Sequence, residues 1–235
     1  MNEYFFNGVE WTAKVRCFGR PMSVVMSFAS GEEMETISSW ADYADYPTEY
    51  LSEYLSTSAS DWTRDQKDIL EYASLLGGMY RVYDSNERFA ANANRLERVI
   101  RENPREDVLF VLVMKLPASG DVPAPFTNGE ILGFAAMRHT WKNTVKLEFL
   151  ASSPFHKGME ADMRLRGVGS ALLMASVHSS EILSAPMFWG ESTDTSLGFY
   201  LDRKFKTLEE IVFLDTAGIT RFVDDTIRRF RHDIY

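Results

Sequence analysis

The chain has 235 residues, a net charge of −9, 45% hydrophobic and 25% charged residues. That composition suits a soluble globular protein with one substantial core, and the acidic balance argues against a broad electrostatic grip on nucleic acid. A single cysteine, Cys17, rules out an internal disulfide framework, and no apolar run is long enough to span a bilayer. The N-terminal Met1-Asn2-Glu3-Tyr4-Phe5-Phe6 lacks the basic region and long apolar stretch of a secretory signal, so a reducing, cytoplasmic setting is the expectation.

Residues 1–20 carry no assignable pattern. Residues 22–28 form a short apolar run that reads as a strand. Ser30-Gly31-Glu32-Glu33 has the spacing of a capping box and predicts a helix to about Tyr43. Pro47 fits the first turn of a further helix with Tyr50 and Tyr54 one turn apart, and residues 56–60 are a polar loop. Residues 61–76 predict a helix with Ile69, Tyr72, Ala73 and Leu76 on one side, broken at Gly77-Gly78. Residues 85–101 predict another, with Phe89, Ala93, Leu96 and Ile100 at core spacing and Asn103-Pro104 ending it.

From there the pattern changes to strands at 108–116, 131–139 and 145–152. The first two are joined by a proline-bearing loop over 117–128 and the last two through Trp141-Lys142-Asn143, which predicts an antiparallel meander. Residues 153–163 are polar and irregular. A helix over 168–183 sets Val168, Leu172 and Ala175 on one face. A strand at 186–191, a short helix at 195–203, a strand at 208–214 and an amphipathic helix at 220–231 complete the chain. No internal repeat, low-complexity tract or linker divides it.

Arg164-Leu165-Arg166-Gly167-Val168-Gly169-Ser170 lies between the 145–152 strand and the helix that follows. Its glycines let the backbone turn sharply, and the first turn of a helix leaves N–H groups without partners at the positive end of the helix dipole. Such a loop is a seat for a phosphate or pyrophosphate, and Arg164 and Arg166 add charge for the same anion. Arg164-x-x-Gly167-x-Gly169 resembles the Arg/Gln-x-x-Gly-x-Gly/Ala signature of the GNAT superfamily of acyl-CoA-dependent N-acyltransferases. Phe149-Leu150-Ala151-Ser152-Ser153-Pro154 resembles the end of that family's fourth strand. Leu197-Gly198-Phe199-Tyr200-Leu201-Asp202-Arg203-Lys204-Phe205 resembles its FYxxxGF helix, with Tyr200 on the tyrosine. The resemblance covers residues 106–215. Residues 155–163 look like an insertion, Lys204 replaces the usual glycine, and Thr193 stands where asparagine is common.

The resemblance implies an α/β fold of the α+β type: a mixed, mainly antiparallel sheet flanked by helices, with an elaborated helical N-terminal part. It implies a single domain, with residues 1–105 forming the acceptor side, 106–215 the acyl-CoA-binding core and 216–235 a C-terminal helix. The activity implied is an N-acetyltransferase that moves an acetyl group from acetyl-CoA, as co-substrate and without a metal, to a primary amine by direct attack. Pantetheine would pair with the backbone of Leu150, Ala151 and Ser152. The pyrophosphate would lie on the loop, with Arg164, Arg166, Gly167, Val168, Gly169 and Ser170 as its contacts. Tyr200 would protonate the departing thiolate; read from spacing alone it is a core aromatic beside Phe199. Glu148 would be the base, with Glu191, His139 and His178 as competitors. Strict alternation places Glu148 opposite Leu147 and Phe149, facing an acceptor cleft or solvent.

Between Arg20 and Arg64 there is no Lys or Arg, and the interval holds Glu32, Glu33, Glu35, Asp42, Asp45, Glu49, Glu53 and Asp61 among Trp40, Tyr43, Tyr46, Tyr50 and Tyr54. A solvated acidic face accounts for this pattern. So does a wall for a cationic acceptor such as a protein lysine or N-terminus, a polyamine or an aminoglycoside. Two other readings stand beside the enzyme. One is a non-catalytic GNAT-fold module that binds CoA or works through protein contacts. The other is a toxin-like member acting on aminoacyl-tRNA, for which Arg228-Arg229-Phe230-Arg231 supplies a small basic patch. The expected partner is an amine acceptor, small molecule or protein, with no membrane or nucleic acid; a homodimer is left open. The histidines and the cysteine show no metal-ligand spacing.

Overall fold

Residues 108–114 are fully buried, one after another, with no alternation between wet and dry positions. A strand of that kind lies at the centre of a sheet covered on both faces, and the rest of the chain is layered about it. The computed structural model describes residues 5–6, 10–17, 20–45, 63–123, 125–157 and 165–232. In chain order the elements are β1 (Phe5–Phe6), β2 (Glu10–Cys17), β3 (Arg20–Phe28), α1 (Gly31–Ser39) running into a 3-10 turn (Trp40–Asp45), α2 (Arg64–Ser85), β4 (Phe89–Ala90), α3 (Ala93–Glu102), β5 (Val108–Lys115), β6 (Ile131–His139), β7 (Val145–Ser152), α4 (Pro154–Lys157), α5 (Val168–Ile182), β8 (Met187–Glu191), α6 (Asp194–Leu201), β9 (Lys206–Leu208), β10 (Ile211–Asp215) and α7 (Thr216–His232).

The strands form one sheet in the order β1-β2-β3-β5-β6-β7-β8-β10-β9, with β4 alongside β5. The pairs β4–β5 and β7–β8 are parallel and the others antiparallel, so the expected mixed, mainly antiparallel sheet is present. On one face Phe110, Leu112 and Met114 pack with Trp11, Leu96, Leu172, Tyr200 and Val223, from β2, α3, α5, α6 and α7. On the other, Leu109, Val111 and Val113 pack with Met34, Ile37, Ile69 and Leu76, from α1 and α2. Among the described residues no helix is long and apolar enough to cross a membrane.

The meander β5-β6-β7, the capping box at Ser30 and the Gly167 helix start lie where the residues predict them. Ser30 Oγ accepts from Glu33 N–H at 3.2 Å, and Glu33 accepts from Ser30 N–H at 2.7 Å. Several elements differ. Residues 10–17, unassigned from the sequence, form β2, which sends Trp11, Ala13 and Val15 inward. Gly77-Gly78 does not break α2: a Cβ on Gly77 would lie 2.7 Å from Ser38 Oγ, so this glycine serves the close packing of α1 on α2. Phe89 belongs to a strand paired with Leu109, not to a helix, and Asn92 caps α3 through a 2.8 Å bond from Arg95 N–H. The run 208–214 holds a tight turn with Glu209 at φ 55°, which splits it into β9 and β10. The helix expected around Pro47, Tyr50 and Tyr54, and the loop at 56–60, lie outside the described residues.

Gly133 positions the neighbourhood of the site. A Cβ there would lie 2.6 Å from Ala151 O and 2.9 Å from Val168 Cγ1, so only a bare α-carbon lets β7 and the start of α5 close on β6. Gly133→Ala is therefore expected to lower stability by about 1–3 kcal/mol, the usual cost of overpacking, in urea unfolding followed by circular dichroism.

Candidate functional site

Strands β7 and β8 run side by side for only three pairs, Val145↔Phe188, Lys146↔Trp189 and Leu147↔Gly190. On its other edge β7 stays paired with β6 to Ser152, but with a shift of register: Met137 faces Leu147 and Ala136 faces Phe149, so Glu148 is the extra, unpaired residue of a bulge. A bulge bends its strand and increases its twist. Beyond it, Leu150, Ala151 and Ser152 continue without a strand beside them on the β8 side, among the described residues.

The bulge also corrects the expected facing of Glu148. Leu147 and Leu150 join the α5-side core, whereas Phe149 and Ala151 join the α2-side core, so alternation slips by one residue at Glu148. Glu148 and Phe149 consequently share the α2 face. Phe149 stacks on Tyr72 there, with ring centroids 5.3 Å apart. Glu148 Oε1 accepts from Arg138 Nε at 2.8 Å and Nη2 at 2.7 Å, and its Oε2 lies 3.1 Å from Lys146 Nζ. Arg138 also holds Asp107, and Lys146 reaches Glu191 at 2.9 Å. Burial works against the Lys146 charge, but Glu191 and Glu148 more than offset it and raise its pKa above the ordinary lysine value. Arg138 is raised in the same way, burial being outweighed chiefly by Glu148. Glu148 is thus a carboxylate fixed by two cations, and Glu191 is an exposed partner of one of them.

At the end of β7 stands the start of α5. Gly167 has a left-handed φ of 99°, and a Cβ on it would meet nothing within 4 Å among the described residues. The first bond from the helix back to its cap is Ala171 N–H to Gly167 O at 2.9 Å, so the amides of Gly167, Val168, Gly169 and Ser170 precede the regular ladder. The loop is anchored by β2: Arg16 and Arg166 exchange two backbone bonds of 2.9 Å each, and Trp11 donates to His178 Nδ1 of α5 at 3.2 Å. The Arg166 amide is spent on that bridge, so Arg166 offers the site its exposed side chain alone. Arg164 lies outside the described residues. Burial lowers the His178 pKa, and His139 is tied to Asn143 at 2.9 Å within the turn after β6.

Tyr200 is 6% exposed, with Phe199 and Phe205 edge-on at 5.2 and 5.4 Å. Burial pushes its phenol up to about 12; the nearby Tyr72 adds to the rise and Arg203 opposes it. Tyr200 comes from the α5 side of the sheet and Tyr72 from α2 on the other, and the influence of Tyr72 reaches the Tyr200 phenol from that opposite side. The Tyr72 phenol is raised too, by burial and then by Asp68 and Glu71. In the sequence Tyr72 reads as core filling, because its stacking on Phe149 depends on the strand that the bulge has turned toward α2. Just past the strand end, the Ser153 hydroxyl is buried with no hydrogen-bond partner among the described residues.

A cavity of about 830 Å³ opens on the α1 side. Among the described residues, Glu10, Glu32, Glu33 and Glu130 line it with Trp40, Tyr43 and Phe155, against a single lysine, Lys115. Burial would raise the Glu33 pKa, but Lys115 and the Ser30 amide hold it below the usual carboxylate value. Phe155 stands against Tyr43 at 5.1 Å, and Trp40 packs at 5.9 Å on Phe134, the residue paired with Ala151, so the cavity adjoins the end of β7. Of the other acids expected here, Asp42 does not line the cavity, and Glu49, Glu53 and Asp61 lie outside the described residues.

No family model and no curated protein matches the sequence. Solved structures to which the chain is similar include a candidate GNAT-family acetyltransferase from Desulfovibrio desulfuricans, with 11% identity and a TM-score of 0.46 over 82% of this chain and 98% of that one. A GNAT-family acetyltransferase from Brucella melitensis in complex with acetyl-CoA is similar with 13% identity and a TM-score of 0.44, over 82% of this chain and 88% of the other. An acetyltransferase of the GNAT family from Staphylococcus aureus Mu50 gives 8% identity and a TM-score of 0.43, over 82% and 98% of the two chains.

The bulge network makes a stability forecast. Arg138→Met removes the guanidinium shared by Asp107 and Glu148 while Trp141 N–H and Lys146 remain with them, and urea unfolding should show a loss of about 1–3 kcal/mol; Arg138→Met combined with Glu148→Gln should lose less than the sum of the two single changes.

Proposed function

We propose that the chain is an acyl-CoA-dependent N-acetyltransferase of GNAT architecture, which moves an acetyl group from acetyl-CoA to a primary amine by direct attack. One juxtaposition carries the reading: β7 leaves β8 after Leu147, and a helix start with a left-handed Gly167 stands against the freed strand end. An unpaired strand edge suits the amides of a pantetheine arm, and helix-start amides suit a diphosphate. The residues fit such a co-substrate. Among the described residues Gly167 leaves the backbone open to approach, a Cβ on Gly169 would meet only Phe199 Cζ, at 3.9 Å, and the Ser153 hydroxyl offers an unused donor. Leu150, Ala151 and Ser152 are the backbone contacts in this reading. Gly167, Val168, Gly169 and Ser170 supply amides, and Arg164 and Arg166 supply charge.

The amine nitrogen forms a bond to the thioester carbonyl carbon as the carbon–sulfur bond breaks. The nitrogen's surplus proton passes to Glu148, directly or through water, and Tyr200 gives its phenolic proton to the departing sulfur. Solvent returns one proton to Tyr200 and removes one from Glu148, so the cycle closes. The acid must be protonated to act. A folded pKa raised to about 12 keeps it so through and beyond the physiological range. The acidic, aromatic cavity beside the strand end is the acceptor pocket in this reading, and a cationic amine is its substrate class.

A non-catalytic CoA-binding module is the second reading, favoured by the engagement of both Glu148 oxygens with Arg138 and Lys146. Thiol release from acetyl-CoA in the presence of spermidine or a lysine peptide separates the two: turnover supports the enzyme, and CoA binding with no turnover for any amine supports the module.

Tyr200→Phe should lower kcat by about 10²–10⁴ while leaving the thermal midpoint near wild type. Because the protonated phenol is the competent form and its pKa is raised, the wild-type rate should show no alkaline decline from this group until pH nears 12. Glu32→Gln with Glu130→Gln should raise KM for a polyamine several-fold with little change in kcat, the pattern of lost uniform binding; an unchanged KM would remove this cavity as the acceptor pocket.

A further inference from the structure

The α1–α2 layer stops at β7. No residue of β8, β9 or β10 belongs to the core on that side, whereas Phe188, Val212 and Leu214 join the opposite core with α5 and α7. Alternation therefore turns Met187, Trp189 and Glu191 of β8, and Ile211, Phe213 and Asp215 of β10, toward the uncovered face. Register adds Lys206 and Leu208 of β9 opposite Phe213 and Ile211, and Lys146 of β7 opposite Trp189. Among the described residues no helix shields this face: Leu208 is 66% exposed, Ile211 38% and Met187 37%. Scattered exposed apolar side chains are ordinary on a surface. Here three share one face with the half-buried Trp189 and Phe213, which pair at the middle of the β8–β10 ladder.

Charge placement selects the occupant. The charges inside the patch are already matched, Lys146 with Glu191 at 2.9 Å and Lys206 with Asp215. Those at two diagonally opposite corners are not. Lys142, in the turn before β7, is exposed and among the described residues meets only the Trp141 ring, at 4.9 Å. Glu209 and Glu210, in the turn from β9 to β10, are exposed, and among the described residues no ion pair engages them. The face thus carries its own complement. A two-fold axis through Trp189 and Phe213 lays the lysine corner of one copy over the carboxylate corner of another, twice. Strands then cross near a right angle, one of the two arrangements that packed sheets adopt. The sheet edge offers less, since β9 is three residues long and carries a lysine, features that discourage strand addition. We propose that this face binds a second copy of the chain in that diagonal arrangement. The aromatic and aliphatic centre supplies the affinity, and the corner charges supply the orientation. Four strands at about 4.8 Å spacing and five residues at about 3.4 Å make a patch about 15 Å square, so the dimer is a weak one.

Sedimentation equilibrium of the full chain tests this. The wild type should pass from monomer to dimer with a Kd on the order of 10 µM. Leu208→Asp and Met187→Asp, on opposite sides of the centre, should each weaken the dimer about tenfold or more, as a charge placed in a desolvated patch does. Both side chains are exposed in the single chain, so circular dichroism and the melting temperature of dilute protein should stay at wild-type values. Lys142→Glu should weaken association several-fold, and so should Glu209→Lys with Glu210→Lys. The three changes in one chain should restore it, and the two variants mixed should pair with each other. A monomer throughout about 1–200 µM, or a dimer untouched by Leu208→Asp and Met187→Asp, overturns the proposal. A loss of stability in the dilute aspartate variants also overturns it, because the face is then covered within one chain. Failure of the triple change to restore association overturns the diagonal pairing of copies.

Discussion

One extra residue in one strand organises the site. Pairing between β6 and β7 skips Glu148, and β7 turns away from β8 directly after Leu147↔Gly190. Two consequences follow from that single slip. The strand's last residues expose an edge within an otherwise continuous sheet, and the side chains after the bulge exchange faces, carrying Phe149 to the α2 side and Leu150 to the α5 side.

What stands at the opening is held by elements distant in the chain. β2 fixes the approach to α5 through the Arg16–Arg166 bridge, and Trp11 ties the same strand to the middle of α5 at His178. Gly133 permits β6, β7 and α5 to meet closely. At the start of α2, Gln66 donates to Pro154 O at 3.0 Å and so restrains the chain as it leaves β7. A helix terminus binds an anion only if its first amides stay uncovered, and these contacts position the terminus while leaving Gly167 clear.

The two sides of the opening differ electrostatically. The phenols of Tyr72 and Tyr200 are in surroundings where burial favours the neutral form. On the α2 face the charges are matched: Asp107, Arg138, Glu148, Lys146 and Glu191 form an alternating chain in which every member has a partner. Such a chain fixes side chains in place, since removing one member leaves its neighbour unpaired in a half-buried setting.

Period and punctuation determined much of the fold before any tertiary contact is considered. The strands β5, β6 and β7, the capped start of α1, the glycine-led start of α5 and the amphipathic α7 depend on local chemistry, so their residues announce them. The candidate site was legible to the same extent: Gly167, Gly169 and Tyr200 stand in recognisable local patterns. What local pattern did not settle was decided by non-local contact. Gly77 reads as a break until Ser38 packs against it, Phe89 reads as helical until Leu109 offers a strand, and Glu148 alternates regularly until β6 pairs on either side of it. Tyr72 gains its significance from Phe149 and Arg203 from Ser170, neighbours many residues away. Side-chain spacing specifies what a segment can become, while register, close approach and the opening of a sheet are properties of pairs of segments, and only the folded chain brings those pairs together.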